Sequence, residues 1–403
     1  MKSELKRLIN AAAVVVLGIT AVKADDTTIP SAFSRPMEWR IGAEIMPGGV
    51  LGTNSFIKGE NREHKRIGTY LSGDIRADFS FNPTTREGML YRGLYQGVGL
   101  GVNSFSAPSL LGTPISIYVY QGAPIVHFTN RLWIGYEWQF GAASGWKHYD
   151  ELTAKDNEAV STSVTAHMGL GFKLHYSLSD RWQVSLGVAA RHFSNGNTSW
   201  PNRGVNSLGA SIGIAYVINP QEDNARSAES ALAHEADRHG WMYDITAYGA
   251  WRKHIVNVGY SDEPEPELCP GRFGIVGLQF SPLYRLNRYV AVGPGLEMLW
   301  DVGAGLDSYW IEGSYGEDIM FERPPFGKQL SMGLSAHAEL TMPIFSVNAG
   351  LGYDFINPKG EKRFYQSLTL KTFVTDHLFL NVGYRLGSFK DPQNLMLGVG
   401  VRL

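Results

Sequence analysis

The chain has one cysteine in 403 residues, only 18% charged residues with a net charge of -2, and no apolar run of eighteen or more residues beyond its N-terminal stretch. Each scarcity closes off a class of protein. Cys269 has no partner for a disulfide within the chain, and Pro264, Pro266 and Pro270 around it read as a loop. Near-neutral charge gives no electrostatic footing for nucleic acid. The lack of long apolar runs excludes transmembrane helices. The apolar stretch at residues 8–22 follows Lys2, Lys6 and Arg7 and leads into Val22-Lys23-Ala24. It is short for a span and flanked like an export signal, so residues 1–24 are expected to be cleaved as the chain leaves the cytoplasm.

What the chain has in quantity is glycine, 46 residues, and aromatic side chains, 12%. Apolar positions alternate with small or polar ones, as where Trp39, Ile41, Ala43 and Ile45 interleave with Arg40, Gly42 and Glu44. A period of two is that of a strand with two unlike faces. Repeated segments of this kind, separated by turns, are the signature of an antiparallel transmembrane β-barrel with one face to lipid and one to the lumen. A soluble β-sandwich shares the alternation and is the minor alternative.

Eight strands are expected in residues 25–218: one around Trp39, then 70–81, one around Val98 to Val102, 114–125, 131–141, 162–176, 181–193 and 204–218. Connections after odd strands are long or polar, whereas 126–130 and 178–180 are tight turns. Outer-membrane barrels have short periplasmic turns and long external loops, so strand seven is expected to end at the external rim. Residues 219–239 break the pattern and read as a polar linker. His234 and His239 within it are five apart, which splays them on a helix, so no metal site is expected there.

Alternation restarts near 241–256, 272–284, 288–301, 329–342, 345–356, 364–375, 378–387 and 394–403. Pro124-Ile125 with Gly135-Tyr136-Glu137 is echoed by Pro343-Ile344 with Gly352-Tyr353-Asp354, and Asp180, Arg191 and Ser194 by Asp376, Arg385 and Ser388. Each second copy is two residues shorter, an even change that keeps every side chain on its face. Residues 240–403 are therefore read as a second, degenerate eight-stranded barrel repeat. The sixteen strands could instead close into one wide pore. Two narrow barrels are favoured, because Gly97, Gly99, Gly101, Ser185 and Gly187 suit a filled interior better than a charged channel wall.

One stretch carries candidate chemistry. His192 and Ser194 continue the parity of Trp182, Val184, Leu186, Val188 and Ala190, which places a base and a nucleophile on the lipid-facing side at the rim. On the next strand Asn206 shares the parity of Leu208, Ala210 and Ile212, within reach of His192. Either these three polar residues decorate a rim or they form a hydrolytic site.

His-aromatic-Ser-Asn at residues 192–195, followed by Pro201-Asn202, Gly204 and Asn206, resembles the signature of the outer-membrane lipid A 3-O-deacylases, also described as acyloxyacyl hydrolases. The specific likeness covers residues 191–206, and a looser one in strand order covers roughly 38–218. The resemblance implies a barrel enzyme facing the outer leaflet of a Gram-negative outer membrane. It would cleave an ester-linked acyl chain of lipid A in lipopolysaccharide, with no metal or organic cofactor. It implies His192 as general base, Ser194 as nucleophile and Asn195, with nearby backbone amides, as oxyanion donor. The family has glutamate where this chain has Asn206. An amide can orient an imidazole but cannot stabilise its cation by charge. Glu137 is no substitute, since its parity points into the lumen. In the second half Leu386 stands where His192 does, with Ser388 matching Ser194, so that half is expected to be non-catalytic.

Overall fold

The computed structural model describes residues 37–82, 85–220, 239–253, 255–258, 265–268, 271–310, 319–322, 324–358, 362–389 and 391–403. The expected export signal, Cys269 and most of the expected linker, His234 included, lie outside the described residues.

Two eight-stranded antiparallel barrels close separately. The first runs β1 (Met37–Val50), β2 (Thr69–Phe81), β3 (Tyr95–Phe105), β4 (Gly112–His127), β5 (Leu132–Trp146), β6 (Val164–Ser177), β7 (Trp182–Ser194) and β8 (Val205–Val217), and β8 pairs back to β1. The second begins with β9 (Gly240–Arg252). After a hairpin of β10 (Ile255–Val258) and β11 (Glu265–Leu268) it continues with β12 (Phe273–Arg285) and β13 (Val290–Asp301). A second hairpin, β14 (Asp307–Trp310) and β15 (Ile319–Glu322), precedes β16 (Leu330–Leu340), β17 (Phe345–Ile356), β18 (Phe364–Phe373), β19 (Leu378–Gly387) and β20 (Asp391–Arg402). β20 pairs back to β9. The single sixteen-stranded pore is thereby overturned, and so is the sandwich, because each meander returns to its own first strand and leaves no edge.

Alternation sets the two faces. Outward, Ile75 is 70% exposed and Leu170 and Val188 are each 58% exposed, part of an apolar belt of a kind that lipid covers. Inward, glycines make room for rings. A Cβ added at Gly99 would stand 2.3 Å from Tyr118 Cζ, and one at Gly352 would stand 2.2 Å from Tyr365 Cζ.

The lumen is filled, as expected, but its charge is a correction to the sequence reading. In the first barrel Arg76 bonds Glu44 and Glu137 at 2.5 Å each, Lys173 bonds the same two carboxylates, and Arg40 meets Asp78 at 2.6 Å. In the second, Lys371 bridges Asp244 at 2.6 Å and Glu339 at 2.5 Å. These charges persist in a lumen because each meets opposite charge there. Single strands show one charge among several glycines; the pairing across the lumen belongs to the closed barrel. Lys173 with Glu44, and Lys371 with Asp244, each join the sixth strand of a barrel to its first. A cavity of about 40 Å³ in the first lumen, lined by Arg40, Glu44, Arg76, Glu137 and His175 among others, has room for a few waters.

Candidate active site

The site is fixed from inside the barrel. Phe193 and Val205 are fully buried in an apolar cluster with Phe56, Ile57, Leu111, Trp146 and Val160 at the long-loop end. Trp146 meets the Phe193 ring edge-on at 5.2 Å, and His167 meets it at 5.1 Å. Arg191, also buried, reaches Asp74 at 3.1 Å. With Arg191 and Phe193 held inward, the pleat turns His192 and Ser194 outward. A slip of one residue would put the arginine on the apolar face, so the register is strongly specified.

Strand pairing supplies the rest. His192 of β7 lies opposite Asn206 of β8, and His192 Nδ1 is 2.7 Å from Asn206 Oδ1. A carboxamide oxygen only accepts, so Nδ1 carries the proton and Nε2 is left with the lone pair that a base needs. On the other side Met168 and Ala166 of β6 face His192 and Ser194. Down the same outward face run Ala190, Val188 and Leu186, with Leu208 beside Ala190.

Gly204 joins the two candidates. Its φ is +70°, and a Cβ there would stand 2.9 Å from His192 Cε1 and 3.6 Å from Ser194 Cβ. Gly204→Ala should therefore strain the backbone and displace the imidazole. It is expected to lower any ester hydrolysis that this pair carries out by about tenfold or more, since a misplacement of about an ångström can cost about a hundredfold. Turnover assayed on protein that retains its folded electrophoretic mobility checks this; unchanged turnover would contradict the packing argument.

The surrounding loops are tied down by hydrogen bonds. The Asn54 side chain caps α1 (Ser55–Lys58), accepting from Ile57 N–H at 2.9 Å, and its Nδ2 donates to Gly204 O at 3.1 Å. Arg203 N–H donates to Glu158 O and Gly204 N–H to Ala159 O. Asn195 is buried; its N–H donates to Asn202 Oδ1 at 2.9 Å and its Nδ2 to Ser161 Oγ at 2.9 Å. Of the four residues singled out from sequence, the structure joins His192 to Asn206 directly and sets Ser194 on the same face. Asn195 is held in the rim by Ser161 and Asn202. Glu137 is 2% exposed in the lumen, as its parity requires.

Sequence reasoning missed Thr53, whose Oγ1 accepts from Asn206 Nδ2 at 3.2 Å. It stands 153 residues from its partner, and no local pattern marks it. Also missed was a trio on the inner face of the second barrel, where Ser335 Oγ lies 2.7 Å from His337 Nε2 and His337 Nδ1 lies 2.8 Å from Asn348 Oδ1. These are the distances of a hydrolytic triad, but all three residues are buried, and Cβ atoms added at Gly295 and Gly350 would meet His337 at 2.5 Å and 2.7 Å. Strands pack directly against this imidazole, and the trio is polar core. Ser388, the match to Ser194, sits beyond the end of β19 with φ +49°, whereas Ser194 lies within its strand. Of the two spaced histidines, His239 is described, and its Nδ1 lies 3.3 Å from Arg285 O.

Residues 62–215 match the family of lipid A 3-O-deacylases, and residues 241–403 match the acyloxyacyl hydrolase C-terminal domain. No curated protein matches the chain. Among solved structures it is similar to a mutant of the Rh. blastica porin, at 11% identity over 91% of this chain and 100% of that one, with a TM-score of 0.17. It is also similar to the siderophore receptor PirA from Acinetobacter baumannii, at 9% identity over 87% of this chain and 68% of that one, with a TM-score of 0.19. Likenesses this loose carry no argument.

Proposed function

Because the chain belongs to the lipid A 3-O-deacylase family of acyloxyacyl hydrolases, we propose that it is a serine esterase of the Gram-negative outer membrane that removes an ester-linked acyl chain from lipid A. The observation that carries this reading is the 2.7 Å bond from His192 to Asn206, on the apolar outer face and two residues from Ser194. Polar groups facing lipid are costly, and those that are found there usually serve function.

In the proposed reaction Ser194 Oγ attacks the ester carbonyl while His192 Nε2 takes the hydroxyl proton. Asn195 Nδ2, exchanging Ser161 for the substrate, donates to the developing oxyanion, a contact of the kind worth about 3–4 kcal/mol of barrier. The bond to the sugar oxygen breaks and the imidazolium returns its proton to that oxygen. Water, deprotonated by His192, then attacks the acyl-serine carbonyl; the bond to Ser194 Oγ breaks, the imidazolium returns its proton to Oγ, and the fatty acid is freed. The acyl chain lies along Ala190, Val188, Leu186 and Leu208, below the His192 ring. The long loops face outward, so the site meets the outer leaflet. No step calls on a metal or organic cofactor. The second barrel takes no part in the chemistry, since Leu386 holds the place of the base.

A fluorophosphonate probe tests both the site and its uniqueness. In the folded protein it should modify Ser194 and leave Ser335 untouched, read by peptide mass spectrometry. Labelling of Ser335, or deacylation by a protein whose Ser194 stays unlabelled at saturating probe, would sink the assignment.

A further inference from the structure

An amide differs from a carboxylate in having two unlike ends. If Asn206 presents Oδ1 to His192, the ring keeps its proton on Nδ1 and Nε2 is a base. If it presents Nδ2, the proton must sit on Nε2, and the ring cannot take one from Ser194. A site built on Asn206 thus needs something to hold the amide with its oxygen toward the ring. Thr53 Oγ1, 3.2 Å from Asn206 Nδ2, is placed to do so: a hydroxyl can serve either end of an amide, and here it accepts from the nitrogen end while Oδ1 accepts from His192 at 2.7 Å.

Thr53 is itself held in place. Its N–H donates to Leu51 O at 2.8 Å, and Leu51 N–H donates to Asn206 O at 2.8 Å. Asn54, the next residue, bonds Gly204 O at 3.1 Å. Both sides of Thr53 are therefore tied to the chain at the start of β8, at Gly204 and Asn206, and its hydroxyl meets Asn206 without a search. We propose that Thr53 is a positioning residue that acts through Asn206 to set the tautomer of His192, so that Thr53, Asn206 and His192 form one orienting chain beside Ser194. The inference rests on the serine-esterase reading above.

The test is a mutant cycle with carboxylates, which present oxygen whichever way they turn. Thr53→Val in the native protein is expected to lower kcat about fivefold, the worth of one hydrogen bond, with KM changed less than about twofold. Thr53→Ser should restore kcat. In the isosteric Asn206→Asp background, and in Asn206→Glu, the same Thr53→Val change should lower kcat less than about twofold. Equal losses in amide and carboxylate backgrounds would show that Thr53 merely supports the loop and would overturn the proposal. So would an unchanged kcat in Thr53→Val, or loss of all activity in both carboxylate variants, since the amide would then do something other than orient. Ser194→Ala is assayed alongside: retained turnover there sinks the esterase reading itself, whereas its loss with a flat Thr53 cycle sinks only the positioning role of Thr53.

Discussion

Ser194→Ala is expected to lower acyl release from lipid A by at least about 10³-fold in a protein that stays folded and inserted. Oxyanion contacts and substrate binding survive the substitution, but the acyl-enzyme cannot form. His192→Ala should cost about as much, and the double variant little more than either, because nucleophile and base act as a unit. Folding should be spared. Ser194 lies on the outer face at the end of β7, opposite Ala166 of β6, so alanine is already tolerated beside it, and outward substitutions of this kind cost within about 0.5 kcal/mol. Mass spectrometry of lipid A from cells making each variant reads the result. An unaltered acylation pattern between wild type and Ser194→Ala would leave the His192–Asn206 pair as rim decoration.

The fold was legible because a barrel strand writes its two faces into every second residue. The expected strand at 345–356 and β17 coincide, and the strand expected at 181–193 is β7 with each end moved by one residue. The outward placement of His192, Ser194 and Asn206 followed from the same period. What escaped was contact across distance. Thr53 reaches Asn206 from a loop 153 residues away, Lys173 meets Glu44 across 129 residues, and His337 meets Asn348 of the next strand. The hairpins β10–β11 and β14–β15 escaped because each is only two four-residue strands, too short for alternation to show. The lumen's charge escaped for a further reason. Parity says that Glu137 points inward; only closure of β1, β2, β5 and β6 around one axis says what it meets.

That lumen gives the second large effect. Glu137 accepts from Arg76 at 2.5 Å, Lys173 at 2.8 Å, Tyr95 OH at 3.0 Å and Gln139 Nε2 at 3.1 Å. Glu137→Gln keeps the volume but removes the charge, and the new amide group offers hydrogens where four donors already converge. Arg76 and Lys173 would then share Glu44 alone, with one positive charge uncompensated in a buried interior. Losing one member of such a buried cluster costs about 3–5 kcal/mol. The expected outcome is a lower midpoint of guanidinium unfolding in detergent micelles with an unchanged m-value. Adding Lys173→Met restores neutrality and should recover much of the loss, which simple addition of two single losses would not do. Arg203→Ala is the surface counterpart. Its side chain is 66% exposed and lies 3.5 Å from a half-exposed Glu158, so it should change stability by less than about 1 kcal/mol. A Glu137→Gln loss no larger than that of Arg203→Ala would mean that water reaches the lumen and solvates its charges. The ion pairs would then be incidental to the closed barrel that holds Arg191 and Phe193 inward and His192 out.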